Sequence, residues 1–125
     1  MNTALDCVFC KIVARELPAE VVHETDEVLV FADLNPGAPH HLLVIPKSHY
    51  ENAAALGAQA PQTAAEILVV AGRVAADLGL AQAGGPAEGD PGYRLVANTG
   101  AGVGQTVFHV HFHLLGGREM GWPPG

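Results

Sequence analysis

A chain of 125 residues is the length of one domain, and with 49% hydrophobic and only 15% charged residues it can build a substantial core. A formal net charge of -7 argues against nonspecific binding to duplex nucleic acid, which needs a dense basic surface, but leaves room for a local pocket that takes one phosphate. No apolar run approaches the roughly 20 residues of a membrane-spanning helix, and residues 1–6 lack the basic-then-apolar layout of a secretory leader, so the chain is expected in the cytoplasm with no membrane partner.

Residues 8–14 read as a short helix with Asp6 as its cap, ended by Pro18. Cys7 and Cys10 flank its start in a C-x-x-C. In the cytosol this spacing means metal or redox chemistry more often than a structural disulfide. Two thiolates so placed can share one ion, and a reduced, unliganded pair is the alternative. A redox role fits less well, because no strand precedes the motif. Residues 21–24 and 28–32 read as two strands joined by the polar turn Thr25-Asp26-Glu27. Asn35-Pro36-Gly37 is a turn, and 41–45 a third strand closed by Pro46. A long helix is expected over about 61–80, with Pro61 in its first turn and Gly79 at its end; Ile67, Val70, Ala71, Val74 and Leu78 make its apolar face. Residues 84–92 read as a loop without core residues, 93–97 as a fourth strand and 100–104 as a glycine-rich loop. Strands in runs with one long helix predict an α+β fold with a mostly antiparallel sheet.

The fifth strand carries the chemistry: His109-Val110-His111-Phe112-His113-Leu114-Leu115. Alternation puts the three imidazoles on one face and Val110, Phe112 and Leu114 on the other. A row of rings that titrate near neutrality, backed by an apolar face, points to a site; a metal patch or a polar edge strand is the plainer reading.

This strand with its flanks resembles the histidine-triad family of nucleotide hydrolases and transferases. The likeness is carried by Cys7-Val8-Phe9-Cys10-Lys11-Ile12, Phe31-Ala32-Asp33-Leu34-Asn35-Pro36, His41-Leu42-Leu43-Val44-Ile45-Pro46-Lys47, Asn98-Thr99-Gly100, Gly104-Gln105-Thr106-Val107-Phe108 and the triad, over nearly the whole chain. The tail from Gly116 through Arg118 and Trp122-Pro123-Pro124 resembles the Hint branch, whose members are purine nucleoside phosphoramidases. The resemblance implies a single HIT domain over residues 1–125, with a five-stranded sheet, one long helix and one or two short ones. It also implies a homodimer in which two such sheets join.

The implied reaction is hydrolysis of the P–N bond of a purine nucleoside 5′-phosphoramidate, through a covalent nucleotidyl-histidine, releasing the nucleoside monophosphate without an organic cofactor. His111 would be the nucleophile. His113 would bond the phosphate oxygens or bridge to the leaving group, and His109 would stand in a relay with His41. Asn98, Gly104, Gln105 and Thr106 would supply donors to the developing charge, although 100–104 without the triad beside it reads as a plain hairpin loop. Asp33 would accept the ribose hydroxyls, and Leu34 would border the sugar. Phe9, Ile12, Leu17 and Phe31 would enclose the base, or simply pack in the core. A subset of the family holds structural zinc on positions that match Cys7, Cys10, His49 and His109. Zinc on His109 would compete with a relay through the same ring. The tail would pack near the partner's active site, or fray. Lys11, Lys47 and Arg118 could steer anionic substrates or merely face solvent. Hydrolysis of dinucleoside polyphosphates is the alternative activity, against which the tail argues. Regulatory nucleotide binding with little turnover is the alternative from another class.

Overall fold

In the computed structural model, residues 3–82 and 87–125 are described. Helix α1 is Val8–Val13, followed by strands β1 (Val21–Glu24), β2 (Val28–Ala32) and β3 (His40–Pro46). Helices α2 (Ala53–Gln59) and α3 (Pro61–Asp77) come next, then β4 (Tyr93–Val96), a 3-10 turn at Ala101–Val103 and β5 (Phe112–Gly116). The five strands form one sheet in the order β1-β2-β3-β5-β4, antiparallel at every pairing. The α+β fold and the five-stranded sheet are as expected from the sequence. Among the described residues no helix is long and apolar enough to cross a membrane.

The sheet is covered on both faces, which explains why β2 and β3 read as nearly unbroken apolar runs. Even-numbered Val28, Val30, Leu42, Val44, Val110 and Leu114 pack with Leu56 of α2 and with Ile67, Val70, Ala71, Val74 and Ala75 of α3. Odd-numbered Leu29, Phe31, Leu43 and Ile45 pack with Phe9, Cys10 and Ile12 of α1. Each fully buried aliphatic side chain contributes roughly 1.5–3 kcal/mol. The long helix therefore owes its place to its apolar stripe, while Leu78 follows it as the cap residue and is only partly buried.

Several local expectations are corrected. The cap of α1 is Cys7, whose thiol accepts from the backbone N–H of Cys10; Asp6 is one residue too early. The helix stops at Val13, because Arg15 turns to φ 64, well before Pro18. Helix α2 is the second short helix that the resemblance allows, but no local pattern placed it. It buries only Leu56, so it shows no apolar stripe, and it is started by Asn52, whose Oδ1 accepts from Ala55 N at 2.9 Å. The last strand begins at Phe112 because Val110 N donates to the carbonyl of Tyr50 (2.7 Å) and not to β3. Of the loop expected over 84–92, residues 84–86 lie outside the described ones. Residues 87–92 form a turn in which Ala87 N donates to Asp90 Oδ2.

Candidate functional site

The register between β3 and β5 builds the site. Leu43 opposes His113 and His41 opposes Leu115, so the odd-numbered side chains of both strands share the α1 face. His109, His111 and His113 therefore lie on that face, as the alternation requires. Diagonal pairing brings His41 Nε2 to 2.9 Å from His113 Nδ1. His109 lies beyond the far end of the ladder, beside Pro46 and His49. The expected relay between His109 and His41 is thus corrected to a pair between His113 and His41.

Backbone groups assign the protons on these rings. A peptide N–H can only donate and a carbonyl can only accept. Gly37 N donates to His41 Nδ1 (2.8 Å), so the His41 proton sits on Nε2 and is donated to His113 Nδ1. His113 then carries its own proton on Nε2. His111 Nδ1 lies 3.0 Å from the carbonyl of His109 and must donate to it, which leaves a lone pair on Nε2. One ring is left with a lone pair and the next with a proton, which is the complement that nucleophilic displacement requires. Burial, reinforced by His111 and His41 and opposed by Asp33, holds the His113 pKa below its ordinary value and favours the neutral donor.

Beside these rings lies a mostly apolar cavity of about 320 Å³, bounded by Phe9, Ile12, Phe31, Leu34, Asp33, Thr106, His111 and His113 among others. All eight are residues singled out in the sequence. Phe9 stands edge-on to Phe31 (centroids 5.5 Å apart) and to His111 (5.1 Å). Asp33 Oδ1 accepts from Asn35 N, while Oδ2 lies 3.3 Å from His41 Nε2 and 3.9 Å from His113 Nδ1. The carboxylate thus sits at the junction of the cavity and the histidine pair. Leu34 is almost fully exposed, at the cavity mouth.

Other expected residues lie elsewhere. Leu17 is partly exposed and does not line the cavity. Gln105 is buried, and its side chain is committed: Oε1 accepts from Gly100 N (2.8 Å), and Nε2 donates to the carbonyls of Glu51 (2.7 Å) and Val107 (3.2 Å). Its backbone N–H goes to the carbonyl of Gly100. Expected to face a phosphate, Gln105 instead braces the loop, because a buried amide must satisfy its own donors and acceptor. Asn98 adjoins Gly104, where an added Cβ would lie 3.7 Å from Asn98 Nδ2; neither borders the cavity, and Gly104 adopts a φ of +98 that favours glycine. Lys47 pairs with Glu24 at 2.7 Å. Arg118 donates twice to the carbonyl of Gly37 (3.1 and 2.9 Å), so it clamps the turn whose N–H orients His41. That role was not legible in the sequence, since it joins residues far apart in the chain.

A second cluster lies on the other side of His111. The donor atoms of Cys7, Cys10, His49 and His109 all fall within 4.8 Å of one another. Sγ···Nδ1 separations are 3.5 Å for Cys7–His109, 3.4 Å for Cys10–His49 and 3.6 Å for Cys10–His109. Tetrahedral bonds of about 2.3 Å to sulfur and 2.0–2.1 Å to nitrogen require an edge of about 3.6 Å. The tautomer fits as well. His109 Nε2 must donate to the carbonyl of Pro46 (2.8 Å), which turns the lone pair of Nδ1 toward both thiols. Burial lowers the pKa of His109 to about 4, against the pull of Pro46, and so keeps that lone pair free. Burial also raises the Cys10 thiol, a penalty that a bound cation would reverse. The four residues can hold a metal ion, and with four protein donors such a site would be closed.

A model of the HIT domain matches residues 14–120. An uncharacterized HIT-like protein of Synechocystis is 48% identical over 122 residues, covering 98% of this chain and 99% of its own. A 14 kDa zinc-binding protein of Zea mays is 43% identical, covering 94% of this chain and 87% of its own. The crystal structure of a HIT family hydrolase from Legionella pneumophila superposes with a TM-score of 0.85 at 45% identity, covering 96% of this chain and all of that one. The chain belongs to the HIT-domain family.

Proposed function

We propose that this protein is a nucleotide hydrolase that cleaves the P–N bond of purine nucleoside 5′-phosphoramidates. The observation that carries the reading is the opposed pair of tautomers: a lone pair on His111 Nε2 and a proton on His113 Nε2, side by side at one apolar cavity. Phe9, Ile12 and Phe31 take the base; their walls offer stacking but few edge contacts, so adenine and guanine both fit. Asp33 accepts the ribose hydroxyls, with Leu34 beside the sugar. Thr106, at the cavity wall, donates to the phosphoryl oxygens. His111 Nε2 attacks the α-phosphorus and the P–N bond breaks. The departing nitrogen is protonated by way of His113, which draws one proton from solvent. Water then attacks the nucleotidyl-His111 intermediate, the P–Nε2 bond breaks, and that proton returns to solvent. The likeness to a HIT family hydrolase from Legionella pneumophila supports hydrolase activity on this fold.

In this reading the Cys7, Cys10, His49, His109 cluster holds a structural zinc ion. Zinc would supply a fixed positive centre that ties the N-terminal segment to the turn after β3 and to the triad segment. The donor set, its spacing and the zinc-binding relative from Zea mays support the assignment. The working unit is a homodimer of single HIT domains over residues 1–125 and acts in the cytoplasm. Among the described strands the outer edge of β4 has no neighbour, and with the exposed Leu68 and Val69 of α3 it suits such a partner.

The deciding experiment follows AMP release from adenosine 5′-phosphoramidate and from a diadenosine polyphosphate, with His111→Ala as control. The variant should fold, keep its zinc and lose turnover. Retained phosphoramidase activity in His111→Ala would remove the nucleophile. Cleavage of the polyphosphate alone would move the protein to the other hydrolase class. AMP binding with no turnover of either substrate would favour a regulatory binder.

A further inference from the structure

The metal cluster and the nucleotide cavity share their supports. Cys7 and Cys10 bracket Val8 and Phe9, so the two thiols sit at the cluster while the residues between them line the cavity, with Ile12 one turn further on. The second link is His109-Val110-His111. The ring of His109 belongs to the cluster and its carbonyl accepts from the Nδ1–H of His111, so the placement of one fixes the tautomer of the other. Phe9 bridges both links, standing edge-on to His109 at 5.9 Å and to His111 at 5.1 Å. Helix α1 has only six residues, too few to hold its shape without tertiary anchors. Anything that fixes Cys7 and Cys10 therefore also fixes one wall of the cavity and the support of the nucleophile.

We propose that metal binding in the four-residue cluster and purine nucleotide binding in the cavity reinforce each other, with Phe9 as the positioning residue that couples them. The inference rests on the cluster being a metal site and the cavity a nucleotide site. Coupling between two ligands is reciprocal, so each must tighten the other by the same factor. An ion that pins α1 removes part of the ordering that the nucleotide would otherwise impose.

The test uses the full chain. Zinc affinity is measured by competition with a chromophoric chelator, with and without saturating AMP. AMP affinity is measured by calorimetry on zinc-loaded and on chelator-treated protein, whose fold is checked by circular dichroism. The expected coupling is about tenfold in both directions. Phe9→Leu should still bind both ligands but reduce the coupling to about twofold or less. Stoichiometric zinc whose affinity ignores AMP would overturn the coupling and leave the metal reading intact. Failure to bind zinc at all would remove the metal reading and the coupling with it, and failure to bind AMP would likewise remove the nucleotide reading. A chelated protein that unfolds would make some linkage trivial, and Phe9→Leu then decides. Linkage through global unfolding would survive that substitution undiminished, and such a result would overturn the role of Phe9.

Discussion

Gln105→Ala would strip the brace from the loop beside the cavity. The wild-type amide is 3% exposed and makes bonds of 2.8, 2.7 and 3.2 Å to Gly100 N, Glu51 O and Val107 O. At a net contribution of about 1 kcal/mol per hydrogen bond, losing all of them costs about 3 kcal/mol. Gly100 is only half-buried, so water can recover part of that, and a destabilisation of about 2–3 kcal/mol is expected. With an unfolding entropy of about 2.1 cal/mol/K per residue, a chain of this length should lose about 8–11 °C in Tm. The assay is a thermal melt followed by circular dichroism, at fixed protein and zinc concentrations because bound partners shift Tm. Gln105→Glu is the sharper variant. It keeps the shape and the acceptor for Gly100 but aims a carboxylate at two carbonyls, so it should destabilise at least as much. A fall under about 3 °C in the alanine variant, or a glutamate variant as stable as wild type, would refute the brace.

His113→Ala should lower kcat/KM by about 10²–10³-fold for alkylamine leaving groups and by less for arylamines that depart without help; equal losses would remove the donor role. The lowered pKa of His113 also makes stability depend on pH. A histidine whose folded pKa lies below its unfolded value resists protonation in the native state, so its contribution is complete above about 6.5 and is lost as pH falls through the lowered value. Urea midpoints should therefore drop on acidification more in wild type than in His113→Asn, and parallel curves would contradict this. Arg118→Met should weaken catalysis with little change in AMP affinity, because it frees the Gly37 turn that orients His41; a loss of affinity alone would point to a substrate contact instead. Gly117→Ala should cost about 1–3 kcal/mol in an unfolding titration, since φ is +94 there and the new Cβ would lie 2.9 Å from Pro39 Cβ; wild-type stability would show that the turn relaxes freely.

What could be read from the sequence was what depends on local periodicity. Alternation alone placed His109, His111 and His113 on one face, and helical spacing alone picked Ile67, Val70, Ala71 and Val74 as the buried stripe of α3. The partner of His41 depends on the register of two strands far apart in the chain, which no local pattern encodes. A family pattern therefore assigned it to His109, where the ladder assigns His113. Gln105 was misread for a related reason. A polar residue beside glycines suggests a ligand contact, but its partners are main-chain groups of distant residues. Helix α2 escaped because an alanine-rich segment with one buried leucine has no stripe to detect; its only signal was the capping Asn52.

Strand β5, the last of the described strands in chain order, lies inside the sheet between β3 and β4. Until β5 is made and paired, β3 has an open inner edge and, among the described strands, β4 has no neighbour. A nascent chain that still lacks β5 therefore carries open strand edges, the kind of surface that chaperones protect and that aggregates when left bare. The strand that completes the sheet is also the one that delivers His113, directly after His109 and His111, so the three rings come together only when the sheet itself closes.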